Sequence, residues 1–199
     1  MAEPLAFWFE FASPYSYLSA MRIQTMAREA RVALVLRPIL LGPIFAAQGW
    51  NDSPFKLYPA KGVYLWQDMA REAAAAGLAF QKPSSFPRGS LLAARIVTAN
   101  AHEPWAMDFT RAVFRANFAE DRAVERPEVI AELLNTLGLE AQALVQQAAE
   151  PAVKDALRAQ TEAAQARGLF GAPSFTVGDT LFWGNDRLER ALECAKTFG

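Results

Sequence analysis

The first chemical signal is Ser13-Pro14-Tyr15-Ser16, within FEFASPYSYL at residues 9–18, where an apolar strand-like run meets a helix-like one. Serine before proline is ordinary helix-start chemistry. The hydroxyl accepts from a free first-turn N–H, and proline loses nothing where no intrahelical donor is required. The same hydroxyl could instead face a ligand, beside the unpaired N–H groups and positive dipole end that a helix N-terminus presents. Two further stretches could meet a ligand. In GAPSF (171–175), Pro173 stands just before a strand-like run, a position where the peptide bond from Ala172 can be cis. In WGNDRLE (183–189), Asn185 and Asp186 read as helix caps that could also hold a charged ligand end. A carboxylate such as Asp186 suits an ammonium, and free N–H groups suit a carboxylate. Each stretch has a plain reading beside the functional one: a cap, a trans proline opening a strand, a second cap.

The remaining candidates are weaker. Asn51 and Lys61 are polar residues of a loop-like stretch, and His102 beside Glu103-Pro104 reads as structural. With a single histidine and a single cysteine, Cys194, no metal cluster is expected. Cys194 falls near the apolar stripe of the last helix-like segment, as a quiet half-buried thiol would. There is no glycine-rich phosphate loop and no G-x-S-x-G elbow, and Ser13 has no evident histidine partner, so a serine hydrolase is a poor reading.

Composition bounds the rest. The chain has 199 residues, 52% of them apolar, enough for a sizeable core. Its 20 basic and 21 acidic residues leave a net charge of −1, which argues against nucleic acid and against anionic membrane as partners. One cysteine excludes an internal disulfide and suggests a reducing compartment. The first basic residue is Arg22, and Glu3 and Glu10 interrupt the apolar start, so no secretory leader is read and a cytoplasmic protein is expected.

The elements that must position these residues follow from periodicity. LAFWFEF (5–11) is almost continuously apolar, as a strand buried on both faces would be. A helix is expected from Pro14 to about Ala30, then a second strand in VALVLRPI (32–39), completing a βαβ unit. The proline- and glycine-bearing stretch 40–62 reads as a long irregular loop, and only helices follow until Gly168. SFTV and TLFW then flank Gly178-Asp179, a hairpin signal, and a last helix runs from Asp186 to Thr197 with Asp186 and Glu189 as a capping box. The order β-α-β, helices, α-β-β-α is a thioredoxin-like mixed sheet in the α/β class, formed by residues 1–40 and 161–199, with an all-helical insertion at 41–160.

In that layout, redox proteins place C-x-x-C where this chain has Ser13-Pro14-Tyr15-Ser16, so thiol–disulfide exchange cannot occur at this site. A serine hydroxyl there can donate to a thiolate that belongs to a ligand. Stabilising the charged form lowers its pKa, each unit being worth ~1.4 kcal/mol. The same layout brings Pro173 beside the first helix's N-terminus, where the backbone of Ala172 could pair with a peptide ligand like an added strand.

Four segments in order, FEFASPYSYLS, NDSPFKLYPAKGVYLWQDMAREA, FPRGSLLAAR and GLFGAPSFTVGDTLFWGNDRLE, resemble the 2-hydroxychromene-2-carboxylate isomerase family over nearly the whole chain. This family is a branch of the kappa-class glutathione transferase and disulfide-oxidoreductase-like group. The resemblance implies a homodimer that binds glutathione between the two domains, its sulfur beside Ser13. Asn51 and Lys61 would line the glutathione site from the loop. The backbone of Ala172, before a cis Pro173, would pair with the cysteinyl part, and Trp183, Gly184, Asn185 and Asp186 would hold the γ-glutamyl end. The implied substrate is a small aromatic carboxylate, 2-hydroxychromene-2-carboxylate, isomerised to trans-o-hydroxybenzylidenepyruvate, with glutathione as a cofactor that is not consumed. Arg37, Lys61, Arg88 and Arg95 are candidate partners for the substrate carboxylate, and Tyr15, Trp50, Tyr64, Trp66 and Phe86 candidate walls for its ring. A kappa-like glutathione transferase and a non-catalytic glutathione-binding protein are the alternatives.

Overall fold

The computed structural model describes residues 3–197. In chain order the elements are β1 (Leu5–Phe9), α1 (Pro14–Ala30), β2 (Leu34–Pro38), α2 (Leu41–Ala47), α3 (Pro54–Leu57), α4 (Pro59–Ala75), α5 (Leu91–Asn100), α6 (Ala106–Phe118), α7 (Pro127–Thr136), α8 (Ala141–Ala148), α9 (Pro151–Ala166), β3 (Ser174–Val177), β4 (Thr180–Trp183) and α10 (Leu188–Thr197). The sheet order is β2-β1-β3-β4, with β1 parallel to β2 and antiparallel to β3. This is the mixed thioredoxin-like sheet with a helical insertion expected from the element order.

The pleat of β1 separates two apolar sets. Leu5, Phe7 and Phe9 share a core with Ile23 and Ala27 of α1 and with Leu188 and Ala191 of α10. Trp8, on the other face, joins Ile39, Leu41, Ile44, Ala164 and Leu169. A strand covered on both faces must be apolar throughout, which is why LAFWF does not alternate. The Trp8 indole N–H donates to Thr176 Oγ1 of β3 at 3.0 Å, so its burial leaves no polar orphan.

An aromatic ladder carries the core into the insertion. Phe7 stacks on Phe175 and Phe9, with ring centroids 5.6 and 4.8 Å apart, and Phe11 meets Phe114 of α6 at 5.0 Å. Phe118 of α6 then meets Tyr17 of α1 at 5.7 Å. The expected boundary between residues 160 and 161 falls inside α9, which runs unbroken and buries Val153, Leu157, Thr161 and Ala164.

The stretch 40–62 is not the long irregular loop its prolines and glycines suggest. It folds as α2, α3 and the start of α4. Pro43, Pro54 and Pro59 stand in first turns, where the missing N–H breaks no intrahelical bond, and Ser53 caps α3 by accepting from the Phe55 N–H at 3.3 Å. The last helix also differs. A single 3-10 turn, Asn185–Arg187, precedes α10. No capping box forms there, because Asp186 pairs with Arg187 at 2.6 Å and Glu189 with Arg22 at 3.0 Å.

Two buried polar arrangements hold the turn that leads into α1. Arg88 is only 5% exposed, and its guanidinium donates to Asn117 Oδ1 (3.1 Å), Arg122 O (2.9 Å) and Ser84 Oγ (3.1 Å) and pairs with Asp121. Asn117 passes the restraint on, donating through Nδ2 to the Phe11 carbonyl at 3.1 Å. These bonds engage both terminal nitrogens of Arg88 within the protein, leaving its buried Nε 3.7 Å from Glu125, so Arg88 is not free to meet a ligand carboxylate. Arg88→Ala strands the buried Asn117 oxygen and the Arg122 carbonyl. It should lower the unfolding free energy by about 3 kcal/mol or more in urea titrations, and a midpoint equal to the parent's would refute that role.

Glu10, half-buried at the end of β1, accepts from the Leu41 N–H at the start of α2 at 3.2 Å. Burial raises its carboxyl from 4.5 to about 7, against the lowering effect of that backbone bond. The unfolded chain therefore releases this proton first, and stability falls as pH rises between those two values before levelling above 7. Gln keeps an oxygen for Leu41 without the charge. Glu10→Gln should match the parent below pH 4.5 and exceed it by on the order of 3 kcal/mol at pH 8, measured as urea midpoints across that range.

Candidate functional site

Ser13 ends the turn after β1 in extended geometry (φ −84°, ψ 115°), and its Oγ accepts from the Ser16 N–H at 3.2 Å. The cap reading is therefore correct, and it is incomplete. The same hydroxyl donates to the Ala172 carbonyl at 2.8 Å, across 159 residues of sequence. The Ala172–Pro173 peptide is cis. Rotating the hydroxyl hydrogen away from Ala172 leaves the lone pair facing Ser16 undisturbed. An anion arriving here would meet an O–H donor and the positive end of α1 together, and hydrogen bonds to ionised acceptors are the stronger kind.

The C-terminal residues reach the same place through the Pro173 loop. The Gly184 N–H donates to the Pro173 carbonyl at 3.0 Å, tying the end of β4 to that loop. Gly171 lets the Trp183 indole approach closely, since a Cβ there would lie 2.6 Å from the Trp183 Nε1 and displace the ring. The Trp183 indole rests on this glycine and against Phe170, with centroids 4.7 Å apart, and remains 52% exposed. Gly184 adopts φ +109°, and a Cβ would meet Asp186 Oδ1 at 2.6 Å. The Asn185 side-chain oxygen turns inward and accepts from Ser19 Oγ and from Arg22 Nη2, each at 3.0 Å. Asp186 points outward beside Arg187.

Ser13, Ala172, Pro173, Gly184 and Asn185 thus form one bonded constellation with α1, with Trp183 and Asp186 on its rim. Asn51 and Lys61 are not part of it. Asn51 lies exposed between α2 and α3, and Lys61, in the first turn of α4, places its ammonium 4.8 Å from the Tyr58 ring centroid. Among the described residues neither has a hydrogen bond to Ser13, Ala172 or Asn185. Arg37 leans on the Trp8 ring and Gln160, on the α9 side of the sheet. Of the ring-wall candidates, Trp66 and Phe86 pack on each other at 4.9 Å, whereas Tyr64 is exposed.

The third motif residue has a role that sequence reasoning missed. The Tyr15 hydroxyl donates to Asp68 Oδ2 of α4 at 2.7 Å, joining the start of α1 to the insertion. Burial, then the Asp68 carboxylate, holds its pKa well above the ordinary phenol value, so Tyr15 keeps its proton. A pair 53 residues apart has no local signal. Ser19 and Arg22 were likewise missed, although their spacing of three on α1 puts them on one face.

No group of three His, Cys, Asp or Glu side chains among the described residues comes close enough to hold a metal ion. No described helix is long and apolar enough to cross a membrane.

The DSBA-like thioredoxin domain profile matches residues 4–194. A 2-hydroxychromene-2-carboxylate isomerase of Sphingobium xenophagum is 30% identical over 201 residues, covering 95% of this chain and 96% of that protein. Human glutathione S-transferase kappa 1 is 29% identical, covering 92% and 86%. A solved structure of 2-hydroxychromene-2-carboxylate isomerase superposes with a TM-score of 0.86 at 29% identity, over 98% of this chain and 94% of that one. The cytosolic disulfide reductase DsbM of Pseudomonas aeruginosa, at 17% identity and a TM-score of 0.67 over 98% and 96%, shares the fold. The chain belongs to the DSBA-like thioredoxin domain family, in the group of the 2-hydroxychromene-2-carboxylate isomerases.

Proposed function

We propose that this protein is a glutathione-dependent isomerase that converts 2-hydroxychromene-2-carboxylate, or a related aromatic catabolic intermediate, to trans-o-hydroxybenzylidenepyruvate. The observation that carries this reading is the Ser13 hydroxyl, capping α1 and 2.8 Å from the Ala172 carbonyl, with no sulfur at residues 13–16. The chain's single thiol, Cys194, lies half-buried on α10. A thiol acting beside Ser13 must come from a ligand.

The residues present fit glutathione. The Ala172 backbone lies open to an extended cysteinyl segment once the Ser13 hydrogen turns away, and the Asn185 amide and Asp186 carboxylate offer opposite polarities to an amino-acid end. Bound glutathione would supply a thiolate, a nucleophile that adds to the conjugated system, lets the former double bond rotate, and leaves again. Ser13 donates a hydrogen bond to that sulfur and, with the N-terminus of α1, favours its ionised form. Trp183 and Phe170 present apolar surface beside the Pro173 loop. Lys61 and Asn51, exposed at the start of α4 and in the α2–α3 connection outside the bonded constellation, would line the glutathione site from the insertion. The protein works as a cytoplasmic homodimer, with the insertion at 41–160 covering the thioredoxin-like part.

The relationship to human glutathione S-transferase kappa 1, at 29% identity, supports a second reading, transfer of glutathione to small electrophiles. One assay separates the two. Turnover of 2-hydroxychromene-2-carboxylate that requires glutathione without consuming thiol supports the isomerase. Thiol loss with a chlorinated aromatic acceptor, and no isomerisation, supports the transferase. Binding of glutathione without either turnover leaves a binding protein.

Ser13→Ala removes one hydrogen bond to a charged sulfur and one helix cap. It should lower kcat/KM by about 10- to 100-fold and stability by only about 1 kcal/mol. Full activity in this variant would sink the thiolate-stabilising role.

A further inference from the structure

The side-chain amide of Asn185 is oriented by its neighbours. Arg22 has only N–H donors, so the Asn185 atom 3.0 Å from its Nη2 must be the oxygen. Ser19, one turn earlier on the same face of α1, donates to that oxygen at the same distance, and Ser19 is fully buried. Arg22 is itself held by Glu189 of α10 at 3.0 Å and reaches the Asn185 carbonyl at 3.5 Å. Two donors fill the oxygen, and flipping the amide would turn its NH2 group against a guanidinium and lose the Arg22 bond, while Ser19 could keep a bond only by reversing from donor to acceptor. Among the described residues no hydrogen bond uses the Asn185 Nδ2.

We propose that Ser19 and Arg22 are positioning residues that lock the Asn185 amide with its oxygen inward, so that the turn before α10 presents N–H donors and selects a ligand with a free α-carboxylate. This rests on the glutathione reading and assigns the polarity of its γ-glutamyl subsite. Donors accept a carboxylate and reject an ammonium, whereas a freely flipping amide would tolerate either. The ammonium of the same amino-acid end is left to Asp186, two-thirds or more exposed at its side chain (72%) on the rim. The discrimination therefore lies in residues of α1 that need not touch the ligand.

Calorimetric titration tests this with two ligands: glutathione, and its analogue 4-aminobutyryl-cysteinyl-glycine, which lacks only the α-carboxylate. The parent protein should bind glutathione about tenfold or more tighter than the analogue. Asn185→Asp keeps an oxygen for Ser19 and Arg22 but replaces the donors with a second oxygen. It should keep its melting temperature and lose the preference, through weaker binding of glutathione and not of the analogue. Ser19→Ala and Arg22→Met should each reduce the preference ratio, and Arg22→Lys, which retains a donor, should restore most of it. A merely structural role would weaken both ligands alike. Equal affinity of the parent for both ligands, or a ratio unmoved in Asn185→Asp or in Ser19→Ala, overturns this inference alone. Failure of the parent to bind either ligand overturns the glutathione reading together with it.

Discussion

Burial of β1 on both faces and along both edges is the constraint on which the rest depends. Its register fixes Leu5 against Leu34 on one side and Val177 on the other, so the N-terminal and C-terminal thirds of the chain meet on one five-residue strand. Its alternate faces are filled by separate apolar sets, which leaves no freedom to slip by one residue. The turn after β1 then has only one place to go. The Asn117 amide holds Phe11, the Glu10 carbonyl accepts from the Ser13 N–H at 3.0 Å, and the Ser13 hydroxyl comes to rest on Ala172. The site is a consequence of where the central strand ends.

The chemistry follows from which donors are already committed. Ser13 holds two internal bonds, and they differ in kind. Acceptance from Ser16 supports the helix and persists whatever binds, whereas donation to Ala172 is a neutral bond that a charged acceptor can replace with a stronger one. One side chain can therefore cap and serve a ligand without conflict. The absence of sulfur from the tetrapeptide also separates this chain from disulfide reductases that share its fold, since a common sheet and helix order carries no chemistry by itself.

What could be read from the sequence was what local rules govern. SFTV and TLFW are strands to the residue, because the Gly178-Asp179 turn sets their ends. Pro14 and Ala30 bound α1 as expected. The stretch 40–62 was misread because proline breaks a helix only beyond its first turn, and the sequence does not say where the turn begins. Arg88 looked available because a charged residue in a loop is usually solvated, and most of its partners come from the end of α6 and the turn after it, 29 to 34 residues on. Asn185 was legible as a residue but not as an oriented group. Its polarity depends on Ser19 and Arg22, which lie 166 and 163 residues away.

The site residues divide by how firmly they are held, and this bears on how selectivity is distributed. Ser13, Ala172 and Asn185 are fixed by bonds to α1 and the sheet, so groups that meet them find donors already in place and cost little reorganisation. Asn51 and Tyr58 in the connections around α3, and Lys61 and Tyr64 on α4, stand exposed, and α4 is attached to the start of α1 through the Tyr15–Asp68 bond. A ligand held by fixed donors would need the first kind of surface. A ligand group that varies would suit the second, where an aromatic face can change without disturbing the strand that positions Ser13. The fold keeps these two demands on different elements, and α1, which bonds to both, is the element through which a change in one would be felt in the other.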